Sequence, residues 1–138
     1  MADDSPGPAF TIVVGYIPND LGLAAVRAGI DEARLRGAFV LVVNASRGDA
    51  YVDRNLAGPD QITELDRLLT GSGVPHQVVQ RVGRGEPADE IIEAAREAGA
   101  DLVVLGLRRR TPVGKLVMGS TAQRVLLDAP CPVLAVKA

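Results

Sequence analysis

The stretch that decides the fold is "DLVVLGLRRRTPVGKLVMGSTAQRVLLDAPCPVLAVKA", Asp101 to Ala138. Two apolar runs, "DLVVLGL" (Asp101–Leu107) and "PVLAVKA" (Pro132–Ala138), flank a helical pattern, "STAQRVLLDAPCP". The runs are continuous and rich in Val and Leu rather than alternating. That pattern marks parallel strands covered on both faces. The helix between them starts with Gly119 or Ser120 as its cap and ends at Pro130. A basic loop carrying Arg108, Arg109, Arg110 and Lys115 joins the first run to the helix.

Upstream the same grammar repeats. "FTIVVGY" (Phe10–Tyr16) and "FVLVVNA" (Phe39–Ala45) are two more buried runs, and the more polar "HQVVQRV" (His76–Val82) suits a sheet edge. "DLGLAAVRAGIDEARLRG" places Leu23, Val26, Ile30 and Ala33 three or four residues apart, between a cap at Asn19 or Asp20 and Gly37. A second helix starts at Pro59, carries Ile62, Leu65 and Leu69, and stops in glycine. The third, "EPADEIIEAAREAGA", has acids in its first turn and a glycine after its last, which suits the helix dipole. Strands alternating with helices imply an α/β fold: a five-stranded parallel sheet with helices on both faces. "NASRGDAYVDRNLAG" (Asn44–Gly58) reads as one long polar surface loop. Residues 1–9 read as a disordered lead-in to a single domain over 10–138.

At 138 residues, nearly half of them apolar, the chain can build a core without staples. Its net charge of −2 argues against general nucleic-acid affinity, and the lack of Trp against stacking platforms. Four of its basic residues crowd the Arg108–Lys115 loop, so attraction for anions is local. The single cysteine, Cys131, permits no intrachain disulfide and points to a reducing cytoplasmic setting. No signal peptide and no membrane-length apolar run is present, so neither membrane nor nucleic acid is an expected partner.

In open α/β sheets ligands bind beyond the strands' carboxyl ends, where strand order reverses. In the order 3-2-1-4-5 that point lies between strands 1 and 4. The loops "IPND" and "RRRTPVGKLVMGS" meet there. Helix amino ends expose unpaired N–H groups and the positive end of the dipole. Gly119 would let the backbone approach an anion, Ser120 and Thr121 offer hydroxyls, and Lys115 and the arginines could neutralise phosphate. The same residues also fit a plain capped helix with solvated arginines. Neither a Walker loop nor a G-x-G-x-x-G is present.

Other reactive residues read as structural. His76 has no ligating neighbour and is expected at the surface with no metal. Cys131 is expected as a buried structural thiol. Glu86, Asp89, Glu90 and Glu93 complement a helix dipole rather than form a catalytic pair. Tyr16 either lines the cleft or closes the core. Thr111 to Gly114 would turn the loop over the cleft. No nucleophile–base pair emerges, so no catalytic residue is assigned and enzymatic activity is not expected beyond slow turnover of a bound ATP.

From "TIVVGY" to "CPVLAVKA", and most specifically in "GEPADEIIEAAREAGADLVVLG" followed by "GSTAQRVLLDAPCPVLAVK", the chain resembles the universal stress protein family. The resemblance implies a flavodoxin-like sheet with strand order 3-2-1-4-5 and a stress-response or regulatory role. It also implies a homodimer paired through the last strand, here Val133, Leu134, Ala135 and Val136. One branch of that family binds ATP and another does not. The binding branch carries G-x-x-G-x9-G-[ST]; Gly106, Gly119 and Ser120 match it, while Arg109 replaces its second glycine. Ile17 stands where that branch usually has an aspartate. The implied contacts to ATP or a related adenine nucleotide, with Mg, come from three places. Gly15, Tyr16, Ile17 and Val43 lie at the first two strand ends. Gly106, Arg108, Arg109, Gly114 and Lys115 belong to the fourth strand and its loop, and Gly119, Ser120 and Thr121 to the last helix. The alternative is a dimeric interaction module of the same fold without nucleotide, its basic loop meeting an acidic regulatory partner. A third reading puts another phosphorylated metabolite in the same cleft.

Overall fold

The described residues of the computed structural model are 10–46, 56–83, 85–108 and 118–138. Along them strands and helices alternate: β1 (Thr11–Gly15), α1 (Asp20–Arg36), β2 (Phe39–Ser46), α2 (Pro59–Ser72), β3 (His76–Val82), α3 (Pro87–Ala98), β4 (Leu102–Leu107), α4 (Ser120–Asp128) and β5 (Val133–Lys137). The lead-in, the middle of the polar connection (47–55) and residues 109–117 of the basic loop lie outside the described residues.

Every strand pair is parallel, as the alternating pattern implies, and the order is β3-β2-β1-β4-β5, as the family resemblance implies. β1 shows why its sequence is continuously apolar. Ile12, Val13 and Val14 are all fully buried, and successive side chains leave the sheet on opposite faces. Ile12 and Val14 join a cluster with α1 and α2, and Val13 joins one with α3 and α4. Burying each such side chain contributes about 1.5–3 kcal/mol. On α1 the expected residues Val26, Ile30 and Ala33 are buried, and on α2 Leu65 and Leu69. Helix α1 opens on Asn19, whose side chain accepts from the Gly22 N–H at 3.1 Å.

Several expected boundaries move for physical reasons. Asp101 does not belong to β4: its carboxylate accepts from the Thr11 N–H at 2.9 Å, and its own N–H donates to Thr11 O at 2.8 Å. It pins the start of β4 to β1 from outside the strand. Helix α4 is capped by Gly119, not Ser120, and ends at Asp128 because Ala129, which precedes a proline, is extended. The run Phe39–Ala45 is strand as expected and extends one residue further, to Ser46, into the polar connection; Asn44, Ala45 and Ser46 are all buried. His76 is not a free surface ring. It is half-buried, with Nδ1 2.8 Å from Val74 O and Nε2 3.4 Å from Asp66 Oδ1. Cys131 is half-buried rather than fully buried, packed against the α3/α4 cluster, and desolvation pushes its thiol pKa up, with Asp101 adding to the rise.

Candidate functional site

β1 lies between β2 and β4, so the chain leaves it toward α1 and β2 on one side while β4 leads off toward β5 on the other. A cleft of about 250 Å³ lies there, beyond the carboxyl ends of β1 and β4.

The floor is apolar. Gly15, Ala45, Ile91 and Leu105 line it, with Pro87 at the start of α3. Gly15 keeps this floor low: a Cβ there would stand 2.6 Å from Leu105 Cδ2 and 3.1 Å from Ile91 Cδ1. One wall is the β1–α1 turn, with Ile17, Leu21 and Gly22. That wall is pulled tight at two glycines. A Cβ on Gly106 would stand 2.2 Å from Leu21 O, and one on Gly22 would overlap Ile17 O, so β4 and the turn both press directly on α1 backbone.

The opposite wall is the start of α4. Gly119, Ser120, Thr121 and Ala122 line the cleft, with Arg108 from the end of β4. Gly119 makes no side-chain cap, being a glycine, and a Cβ on it would meet nothing within 4 Å. The first N–H groups of an α-helix have no intrahelical acceptor. Among the described residues nothing else accepts from Ser120, Thr121 or Ala122. This end of the cleft thus presents amides that no described residue accepts from, a positive dipole end and an exposed guanidinium. Arg124 binds Asp89 of α3 at 2.9 Å and Asp128 at 3.4 Å, which ties α4 to α3. Both pairs are exposed, so their contribution is orientation more than stability.

The candidate residues fall into three groups. Gly15, Tyr16, Ile17, Gly106, Arg108, Gly119, Ser120 and Thr121 line the cleft together. Arg109, Gly114 and Lys115 lie outside the described residues. Val43 is corrected: it is wholly buried against the α3 side, and its carbonyl accepts from the Tyr16 N–H at 2.9 Å. Ala45, two residues on and so on the same face of the pleat, lines the cleft instead. Gly106 keeps its place but changes its role, since α1 backbone fills the space beside it.

Tyr16 does both things weighed for it. It lines the cleft, and the residue is 4% exposed within the α1/α2 cluster. Burial pushes its phenol pKa up, with Glu64 adding to the rise. Reading the sequence missed the floor residues Ala45, Pro87, Ile91 and Leu105, which are brought together only by the sheet and the α3 crossover. Among the described residues no group of three or more His, Cys, Asp or Glu could hold a metal ion, and no helix is long and apolar enough to cross a membrane.

At the sheet's far side, β5 pairs, among the described residues, with β4 alone. Val133, Leu134, Ala135 and Val136 are half-buried there, and Leu127 of α4 is 76% exposed.

The model of the universal stress protein family matches residues 9–137. A universal stress protein of Mycolicibacterium smegmatis is 48% identical over 126 residues, covering 91% of this chain and 96% of that protein. The solved structure of a universal stress protein from Archaeoglobus fulgidus superposes with a TM-score of 0.80 at 31% identity, over 93% of this chain and 98% of the other. A universal stress protein structure from the same organism in complex with dAMP gives a TM-score of 0.73 at 27% identity, over 93% and 98%.

Proposed function

The chain belongs to the universal stress protein family, and we propose that it is a nucleotide-responsive stress-response regulator whose cleft between β1 and β4 binds an adenine nucleotide. The observation that carries this reading is the set of amides at Ser120, Thr121 and Ala122, without an acceptor among the described residues, facing an apolar floor across the cleft. Phosphate takes the α4 end, where N–H donors and Arg108 meet charge, and Gly119 leaves it room. The adenine ring takes the apolar floor over Ala45, Ile91 and Leu105. Ile17 gives that end an apolar contact in place of a carboxylate. The dAMP complex of the Archaeoglobus fulgidus protein supports the ligand class. Magnesium would enter on the phosphates of ADP or ATP rather than in a site of side chains.

In the same reading the protein works in the cytoplasm as a homodimer. The half-buried Val133–Val136 edge and exposed Leu127 are apolar surface that a second copy would cover. Occupancy of the cleft would reach that edge through α4, which runs from the amides directly into β5, and so reach a regulatory partner.

Thermal unfolding with AMP, ADP and ATP, with and without magnesium, tests the binding. A ligand at a hundredfold over its dissociation constant stabilises the folded state by about 2.7 kcal/mol. A melting temperature that rises with nucleotide concentration is the expected result. No rise at millimolar nucleotide would leave the interaction module without a small ligand as the function.

A further inference from the structure

Resting on the nucleotide reading above, we propose that Asn44 is a positioning residue of the cleft: its buried amide holds the Tyr16 carbonyl, and with it the turn that receives the nucleoside end of the ligand. Asn44 is wholly buried in β2 and is not among the residues lining the cleft. Its Nδ2 donates to Tyr16 O at 3.0 Å. Its Oδ1 accepts from the Ala57 N–H at 2.8 Å and from Gln80 Nε2 at 3.0 Å. The partners fix which way the amide points, because a carbonyl can only accept and a backbone N–H can only donate. Gln80 also donates to Ala57 O at 2.9 Å, so β2, β3 and the entry to α2 close into one polar network.

The network matters to the cleft through Tyr16. The Tyr16 N–H is held by Val43 O, and its carbonyl by Asn44, so the residue is fastened to β2 on both sides as the chain leaves the sheet. The next residue is Ile17, which lines the cleft, and whose carbonyl accepts from the Asn19 N–H at 2.8 Å to close the turn into α1. Releasing the Tyr16 carbonyl leaves a buried acceptor unsatisfied, and the turn can satisfy it only by moving. The signal in the sequence was one polar residue at the end of an otherwise apolar run.

The substitution Asn44→Asp removes the bond to Tyr16 and keeps those from Ala57 and Gln80. The carboxylate still accepts from Ala57 and Gln80 but cannot donate to Tyr16. Once protonated, it can. Burial raises a carboxyl pKa, so protonation is reachable in mild acid. AMP affinity of the full chain and of N44D, each titrated at about pH 8 and about pH 5, gives the ratio of the two proteins at each pH and cancels every other titrating group. The expected ratio is a loss of about tenfold or more for N44D at the higher pH, the size of one charged or buried hydrogen bond, and a return toward wild type at the lower. Equal affinities at pH 8, or a loss that does not change with pH, would overturn the proposal.

Hydrogen exchange of the Ile17 and Asn19 amides without any nucleotide keeps the two readings apart. If wild type binds no AMP, the nucleotide reading fails, and exchange alone decides the role of Asn44. Faster exchange in N44D at the higher pH supports positioning, and unchanged exchange overturns it. Should N44D not fold, the Asn44 side-chain amide signals of the wild-type protein serve instead: slow exchange and a shift on adding AMP are expected, and rapid exchange or no shift contradicts them.

Discussion

Gly106 and Leu21 touch through backbone alone: a Cβ on Gly106 would stand 2.2 Å from the Leu21 carbonyl oxygen. This contact seats the start of α1 on β4 and sets the width of the cleft. It also separates two glycines that the sequence pattern groups together. Gly119 has nothing within 4 Å of where its Cβ would be.

The two positions therefore respond differently to alanine. Gly106→Ala forces α1 off the sheet and should lower stability by about 1–3 kcal/mol, the range for overpacking, read as a shift in the urea midpoint. Gly119→Ala should cost at most about 1 kcal/mol, the size of a weakened helix cap, while reducing nucleotide affinity by crowding the phosphate. If G119A unfolds as readily as G106A, the assignment of open space beside Gly119 is wrong.

Cys131 should behave as a sluggish thiol. Desolvation, reinforced by Asp101, raises its pKa above the ordinary thiol value. The thiolate is the reactive form. Modification by a disulfide reagent should therefore be slow at neutral pH, and its rate should climb only at a pH above that of the unfolded chain. The raised value has a second consequence. Its contribution to stability is complete below the unfolded thiol pKa and is lost as pH rises through the folded one. Wild type should lose more stability than Cys131→Ala across that alkaline window. Rapid labelling at neutral pH would contradict this.

The β5 edge gives a third test. Val133→Lys together with Val136→Lys places two charges on strand surface that a second copy would bury. Light scattering after sizing chromatography should report a monomer. A dimer that survives both lysines would place the interface elsewhere.

How far the sequence carried can be judged residue by residue. The apolar runs announced β1, β2, β4 and β5, because strands of a covered parallel sheet are built mainly of apolar residues. Strand order then located the cleft, and Gly119, Ser120 and Thr121 lie on it as local helix-start signals. Val43 was misplaced by the pleat: the residue that reaches the cleft from its face of β2 is Ala45, and the turn that pins Val43 O to Tyr16 is not written locally. Ile91 and Leu105 looked like ordinary core positions, and only the α3 crossover brings them under Gly15. Asn44 read both as the end of a strand and as the start of a loop, because the donors and acceptors that bury it come from Tyr16, Ala57 and Gln80, far away along the chain.

In the proposed complex the amides at the start of α4 hold the ligand's phosphate, and Ser120→Pro removes one of them. Proline at the first helical position keeps the helix, and Gly119 already has the extended φ −65°, ψ 156° that a residue before proline prefers. The substitution removes one N–H, along with the Ser120 hydroxyl, and little else. Calorimetric titration of AMP into both proteins should show S120P folded, with stability within about 0.5 kcal/mol of wild type. Its affinity should be weaker by about tenfold, the size of one charge-assisted hydrogen bond. Equal affinity of the two proteins for AMP, or no heat from either, would contradict the account.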